Sequence, residues 1–177
     1  MPSIKLKKFH PNAITPTKGT IGAACYDLFA LMDCEIKPGE VVSLSTGWHI
    51  EIPPDHALMV YSRSGQGFKN QVTLVNGTGV IDSDYRGTLM IGLRNDSSET
   101  YFQPYGKAIA QAMLVYVPFT QLELVSELSE TDRGANGFGS TDSKHCDKAV
   151  EGWECSRAKN YEGPCTAMPI MPSRHLK

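Results

Sequence analysis

Residues 72–81 read Val-Thr-Leu-Val-Asn-Gly-Thr-Gly-Val-Ile. Two short runs rich in β-branched residues flank Asn76-Gly77, a dipeptide that readily supplies the positive φ angles of a two-residue hairpin turn. The stretch predicts strands over Val72–Val75 and Thr78–Ile81, joined as a hairpin. The same rhythm extends in both directions. Upstream, Ile4–Phe9, Tyr26–Leu31, Val41–Leu44, Trp48–Ile52 and Ala57–Tyr61 are separated by breaks such as Lys37-Pro38-Gly39-Glu40 and Pro53-Pro54-Asp55. Downstream, Leu89–Leu93, Thr100–Phe102, Ala108–Val117 and Leu122–Leu128 complete the set. Turn signals at roughly 8–12-residue spacing predict an all-β sandwich or barrel. Ala108–Leu114 also reads as a short helix, because a short apolar run has no decisive period.

Composition sets the outer limits. The chain has 177 residues, 41% hydrophobic and 20% charged, with a formal net charge of -2. Those values predict one globular domain and argue against a strongly basic nucleic-acid binder. No apolar run approaches the roughly 20 residues of a membrane span. The opening Met-Pro-Ser-Ile-Lys-Leu-Lys-Lys carries no apolar core of a secretion signal, so a cytoplasmic setting is expected. Charge is uneven. Residues 143–177 hold six basic and four acidic groups, against eleven and fifteen in residues 1–142. With Val150, Ile170 and Leu176 as their large aliphatics, residues 143–177 bury little apolar surface to offset their ordering entropy. They are expected to form an irregular extension, extended or disordered, behind a core of residues 1–142. His145-Cys146, Cys155 and Cys165 lack the Cys-x₂₋₄-Cys spacing of a zinc site.

Four stretches carry candidate chemistry. Arg63-Ser64-Gly65-Gln66-Gly67 combines a cation, a hydroxyl and two glycines, a set that surrounds phosphate but also makes an ordinary polar loop. Gly77 through Gly87 contains Asp82 and Asp84, which share one face if the segment is extended. One would act as general base while the other is ion-paired to a nearby Arg; an acidic β-turn is the plainer alternative. Tyr85 adds an aromatic surface for a sugar or base. Arg133-Gly134-Ala135-Asn136-Gly137-Phe138-Gly139-Ser140-Thr141 has phosphate donors and a stacking ring, or is a flexible linker. Gln111 sits in an apolar run, where its amide requires hydrogen-bond partners. Two phosphate-capable loops, an acidic turn with an aromatic and a glycine-rich aromatic segment together suit a nucleotide with several phosphates.

These residues resemble the homotrimeric dUTP pyrophosphatase (dUTPase) family. Its five motifs occur in order, as Ala24-Cys25-Tyr26-Asp27-Leu28, Arg63-Ser64-Gly65, Asn76 through Gly87, Gly106 through Gln111, and Arg133 through Thr141. The resemblance implies a jelly-roll β-barrel, assembled as a homotrimer, that hydrolyses dUTP to dUMP and pyrophosphate with Mg²⁺. Motifs one, two and four would come from one subunit, motif three from a second and motif five from the third. By that pattern Asp82 activates the attacking water, and Asp27 holds the metal through bound water. Ser64, Gly65 and Gln111 contact phosphates, supported by Arg63. Asn76, Gly79, Val80, Ile81 and Met90 receive the uracil, and Tyr85 packs under the sugar. Phe138 stacks on the base, Gly139 belongs to the same substrate-binding segment, and Arg133, Ser140 and Thr141 close over the γ-phosphate end.

Several positions depart from the family pattern. Cys25 replaces a Gly, Gln66-Gly67 replaces Leu-Ala, Ala108 replaces an Arg, and Asn136 and Asp142 replace glycines. None removes a group assigned to the chemistry. Two alternatives stay open: a binding or regulatory protein on the same fold, and the related dCTP deaminase, for which no additional Glu base stands beside the motif-three turn. No nucleic-acid or membrane partner is expected, whereas the extension leaves room for a further partner.

Overall fold

The computed structural model describes residues 2–136 together with two short strands, Trp153–Cys155 and Ala167–Pro169. Residues 1–122 form one compact unit and residues 123–177 a second. The first unit is built on two four-stranded antiparallel sheets. One has the order β1 (Lys5–Lys8), β4 (Val41–Glu51), β8 (Thr88–Asn95), β6 (Val72–Leu74). The other has the order β2 (Tyr26–Phe29), β10 (Ala108–Tyr116), β5 (His56–Tyr61), β7 (Thr78–Ile81). A short ladder pairs β3 (Cys34–Ile36) with β9 (Tyr101–Gln103).

Strand β8 shows why the chain folds this way. Leu89, Ile91 and Leu93 point inward, while Met90 between them and Arg94 beyond them face out. They meet Ile50, Ile52, Val72 and Leu74 of their own sheet and Leu28, Leu58, Val60 and Ile109 of the other in one core. Each such side chain, fully buried, contributes about 1.5–3 kcal/mol of transfer free energy. The expected all-β jelly-roll architecture is therefore present.

The details differ from the sequence expectation in five places. First, Val72–Val75 and Thr78–Ile81 are not hairpin partners: β6 pairs with β8 and β7 pairs with β5. A type I′ hairpin needs positive φ at both central residues, and here Gly77 alone of the pair has it, at φ 68°. The turn is closed by Gly77 N–H to Leu74 O at 3.1 Å and Thr78 N–H to Asn76 O at 2.7 Å, and it carries the chain from one sheet to the other. Second, Val41–Leu44 and Trp48–Ile52 belong to one strand, bulged between Ser45 and His49. Gly47 sits in the bulge at φ 78°, where a Cβ would lie 2.6 Å from Leu31 Cδ2.

Third, Ala108–Leu114 is strand, not helix, because β10 is held on both sides by β2 and β5. Fourth, the Arg63–Gly67 stretch, read as loop, leads into and opens the helix α1 (Ser64–Asn70). Gln66 is its one buried residue, so no apolar stripe announced it. Fifth, Leu122–Leu128 is not a strand: Leu122, Leu124 and Leu128 are almost fully exposed and no described strand pairs with the segment. In the second unit, β11 (Trp153–Cys155) and β12 (Ala167–Pro169) pair antiparallel.

Candidate active site

Strand β7 lies at the edge of its sheet, with β5 on one side only. The backbone groups on its other side are therefore left by the ladder to meet a ligand. Beside them opens a pocket of about 270 Å³, lined by Asn76, Gly79, Val80, Ile81, Asp82, Tyr85 and Met90, with Val60 at its back. The motif-three residues and Met90, read from sequence as receiving base, sugar and attacking water, fall in this one pocket. Gly79 keeps it open: a Cβ there would sit 3.1 Å from Val60 Cβ. The Tyr85 hydroxyl donates to Thr88 O at 2.8 Å, which fixes the ring across the pocket, and Gly87 leaves room for that ring.

Asp82 and Asp84 do not share a face. Strand β7 ends at Ile81 and the chain turns, closed by Tyr85 N–H to Asp82 O at 3.2 Å. Only Asp82 lines the pocket. Among the described residues neither carboxylate is ion-paired, so the expected Asp–Arg pair in this turn is absent. Arg86 instead donates to the Ser83 and Tyr85 carbonyls at 2.7 and 2.8 Å, which shapes the turn. Asp82 is left as an exposed carboxylate with unshared acceptor capacity.

Asp27, Arg63, Ser64, Gly65 and Gln111 line a second cavity of about 330 Å³. The sheet brings them together: Gln111 pairs with Asp27 on one side and with Tyr61 on the other. Arg63 Nε donates to Asp27 Oδ1 at 3.1 Å and its Nη1 to Ala108 O at 3.2 Å. Gln111 Nε2 donates to Ser62 O at 3.0 Å, meeting the requirement raised by its apolar surroundings. Ser64 and Gly65 open α1, where the first N–H groups have no helical acceptor. Tyr101 also lines the cavity; burial pushes its hydroxyl up, against the pull of Arg63, so it stays a neutral donor to Gln103 Oε1 at 3.1 Å.

The donor set bears on a metal. Asp27 has one oxygen committed to Arg63, and no cluster of three or more His, Cys, Asp or Glu side chains occurs among the described residues. That does not make an all-protein cage. It fits a hard cation held chiefly by substrate phosphates and water with one carboxylate behind them, the usual Mg²⁺ arrangement.

The two pockets share no lining residue. Arg133 is exposed, its Nε donating to Asn136 O at 3.0 Å. Phe138, Gly139, Ser140 and Thr141 lie outside the described residues. The sequence reading missed Gln66, Lys69 and Lys107, which line the phosphate-side cavity. Gln66 alone left a signal, as a polar residue at the motif-two position where the family pattern has Leu.

A sequence model of the dUTPase family matches residues 11–142. The chain belongs to the dUTPase family. A deoxyuridine 5'-triphosphate nucleotidohydrolase from Nautilia profundicola is 41% identical over 138 residues, 78% of this chain and 97% of its own length. One from Histophilus somni is 46% identical over 134 residues, 73% of this chain and 87% of its own. Among solved structures, a dUTPase variant of Staphylococcus bacteriophage 80alpha with dUpNHpp has a TM-score of 0.73 at 26% identity, across 78% of this chain and 97% of that one. A dUTPase variant from phage phi11 of S. aureus, described with a structural Mg(II) ion, shares the fold at TM-score 0.67 and 23% identity, across 72% of this chain and 99% of that one. Within this dUTPase chain, all five motif stretches lie inside the matched residues.

Proposed function

We propose that this chain hydrolyses dUTP to dUMP and pyrophosphate, which limits uracil entry into DNA and supplies dUMP for thymidylate synthesis. One observation carries the reading: Asp82 and Tyr85 share a pocket with the unpaired edge of β7, while Arg63, Ser64, Gly65 and Gln111 gather at a separate anionic-ligand cavity. The first suits a deoxyuridine and the second a triphosphate. The two pockets share no lining residue, which supports a site completed by another copy. The proposed assembly is a homotrimer, with motif three from one subunit facing motifs one, two and four of the next, and Arg133, Phe138, Gly139, Ser140 and Thr141 of the third closing over both.

In the proposed mechanism, the edge of β7 from Asn76 to Ile81 presents backbone donors and acceptors to the uracil. Cytosine exchanges donor for acceptor at position 4 and would leave buried partners unpaired. Thymine's methyl has no room in the narrow turn. The fixed Tyr85 ring packs under the deoxyribose and clashes with a ribose 2′-hydroxyl. Asp82 takes a proton from a water that attacks the α-phosphorus in line; the bond to the bridging oxygen breaks and pyrophosphate leaves. Ser64, Gly65 and Gln111 hold the phosphates, with the Arg63–Asp27 pair behind them. Asp27 would hold Mg²⁺ through bound water, and the ion would supply charge neutralisation on the phosphate oxygens.

We further take residues 1–142 as the catalytic core and residues 143–177 as an extension open to another partner. The setting is the cytoplasm, which suits an enzyme of the nucleotide pool and the free thiols of Cys25 and Cys34. The test is incubation with Mg²⁺ and dUTP, dCTP, dTTP or UTP, following pyrophosphate and base identity. Release confined to dUTP is expected. Conversion of dCTP to a uracil nucleotide, or dUTP binding without turnover, would overturn the reading.

A further inference from the structure

Of the residues assigned to the phosphates, Arg63 and Gln111 already have partners within the chain. Arg63 is committed to Asp27 and Ala108 O, and Gln111 Nε2 to Ser62 O. Beside Ser64 and Gly65, the same cavity is lined by Lys69, Lys107 and Gln66, whose side-chain donors are not committed either. Lys69, in the last turn of α1, and Lys107, in the turn before β10, both line it and both are exposed. Among the described residues neither ammonium is ion-paired. The cavity's one acid, Asp27, is matched by Arg63, so both lysine charges stand uncompensated there.

The third donor is Gln66. The residue is 6% exposed, and its Nε2 is buried without a hydrogen-bond partner. Buried amide groups are nearly always satisfied, so a buried donor in a ligand cavity's wall points to a missing acceptor. Two cations without an anion and an amide without an acceptor are deficits of one kind. A ligand rich in anionic oxygen meets all three.

We infer that Gln66, Lys69 and Lys107 form the seat for the terminal, leaving end of the polyphosphate. This rests on the proposed nucleotide reading for the identity of the whole substrate, and adds to it the residues that hold the departing pyrophosphate. The charge count selects the end. A terminal phosphoryl group carries about -1.5 to -2 at pH 7, against one charge on an internal one. Lysine suits the position because its compact ammonium offers three donors without demanding one geometry.

The test uses the full chain with inorganic pyrophosphate and tripolyphosphate as calorimetric probes, and deoxyuridine as the probe of the other pocket. Lys69→Gln, Lys107→Gln and Gln66→Leu are each expected to weaken both polyphosphates by about five- to tenfold and to leave deoxyuridine unchanged. The two lysine variants also flatten the salt dependence, whereas Gln66→Leu does not. Unchanged polyphosphate binding in all three variants, or an equal loss of deoxyuridine, would overturn the inference. A parent that binds polyphosphate through these residues but does not hydrolyse dUTP would refute the activity and leave the seat intact. A parent that hydrolyses dUTP, with variants unaltered in KM and in pyrophosphate inhibition, would refute the seat alone.

Discussion

Arg63→Lys keeps a positive charge and removes a fork. The guanidinium reaches two acceptors at once, Asp27 Oδ1 at 3.1 Å and the Ala108 carbonyl at 3.2 Å. A lysine ammonium is a single point on a flexible stem and does not span both. The two losses differ in size. Asp27 and Arg63 side chains are each about a third exposed, so their ion pair contributes at most about 1 kcal/mol after screening. Ala108 is buried, and an acceptor stranded there costs about 1–3 kcal/mol. The stranded carbonyl dominates, so the expected loss is about 1–3 kcal/mol, or a fall in Tm of roughly 2–12 °C for a chain of this length. The assay is thermal unfolding at matched protein concentration, since the proposed assembly would make Tm concentration-dependent. A Lys variant melting within a degree of the parent, with KM for dUTP unchanged, would refute the claim that the fork holds the phosphate side together.

Three further outcomes are expected. Asp82→Asn keeps dUTP affinity and loses roughly two to four orders of magnitude in kcat, measured in steady state, because the side chain no longer accepts the water's proton. Gly47→Ala combines left-handed backbone strain with a Cβ 2.6 Å from Leu31 Cδ2 and 2.7 Å from Ala13 Cβ, for a loss of about 2–5 kcal/mol in urea unfolding. Lys5→Ala acts through pH. The hydrogen bond and charge of Lys5 hold the Glu51 carboxyl below its ordinary value, so the pair stabilises the fold above the glutamate range and loses that effect as pH falls through the lowered value. The Tm gap between parent and Lys5→Ala is therefore present at neutral pH and closes in acid.

What could be read from sequence follows from what each element depends on. Leu89, Ile91 and Leu93 alternate with exposed residues, so one strand face was legible without a partner in view. Ala108–Leu114 was ambiguous until β2 and β5 took up its two edges. Asn76-Gly77 announced a tight turn correctly, but not that the turn leaves one sheet and enters the other. Leu122–Leu128 has a strand's composition and no neighbour among the described strands, a fact that no local pattern contains. At the candidate site, Asp82 and Tyr85 were readable because the turn itself requires Asp, Ser and Gly. The Arg63–Asp27 pair was not, because the residues stand 36 positions apart and meet only when β10 lies between their strands. The burial of Gln66 was hidden for a similar reason: its departure from the family's Leu marked the position, but a polar residue in a short polar helix gives no sign that it is buried.

The central claim is that a single chain carries two half-sites that are completed between copies. Asp82→Asn and Arg63→Ala variants, each of them expected to be nearly inactive, test it when unfolded together and reassembled at equal amounts. In mixed trimers some interfaces then pair an intact Arg63 side with an intact Asp82 side from the neighbouring chain, and dUTP hydrolysis is expected to return to about a quarter of the parental rate per site. Activity no higher than the sum of the two separate variants, in oligomers shown to contain both chains, would contradict the account.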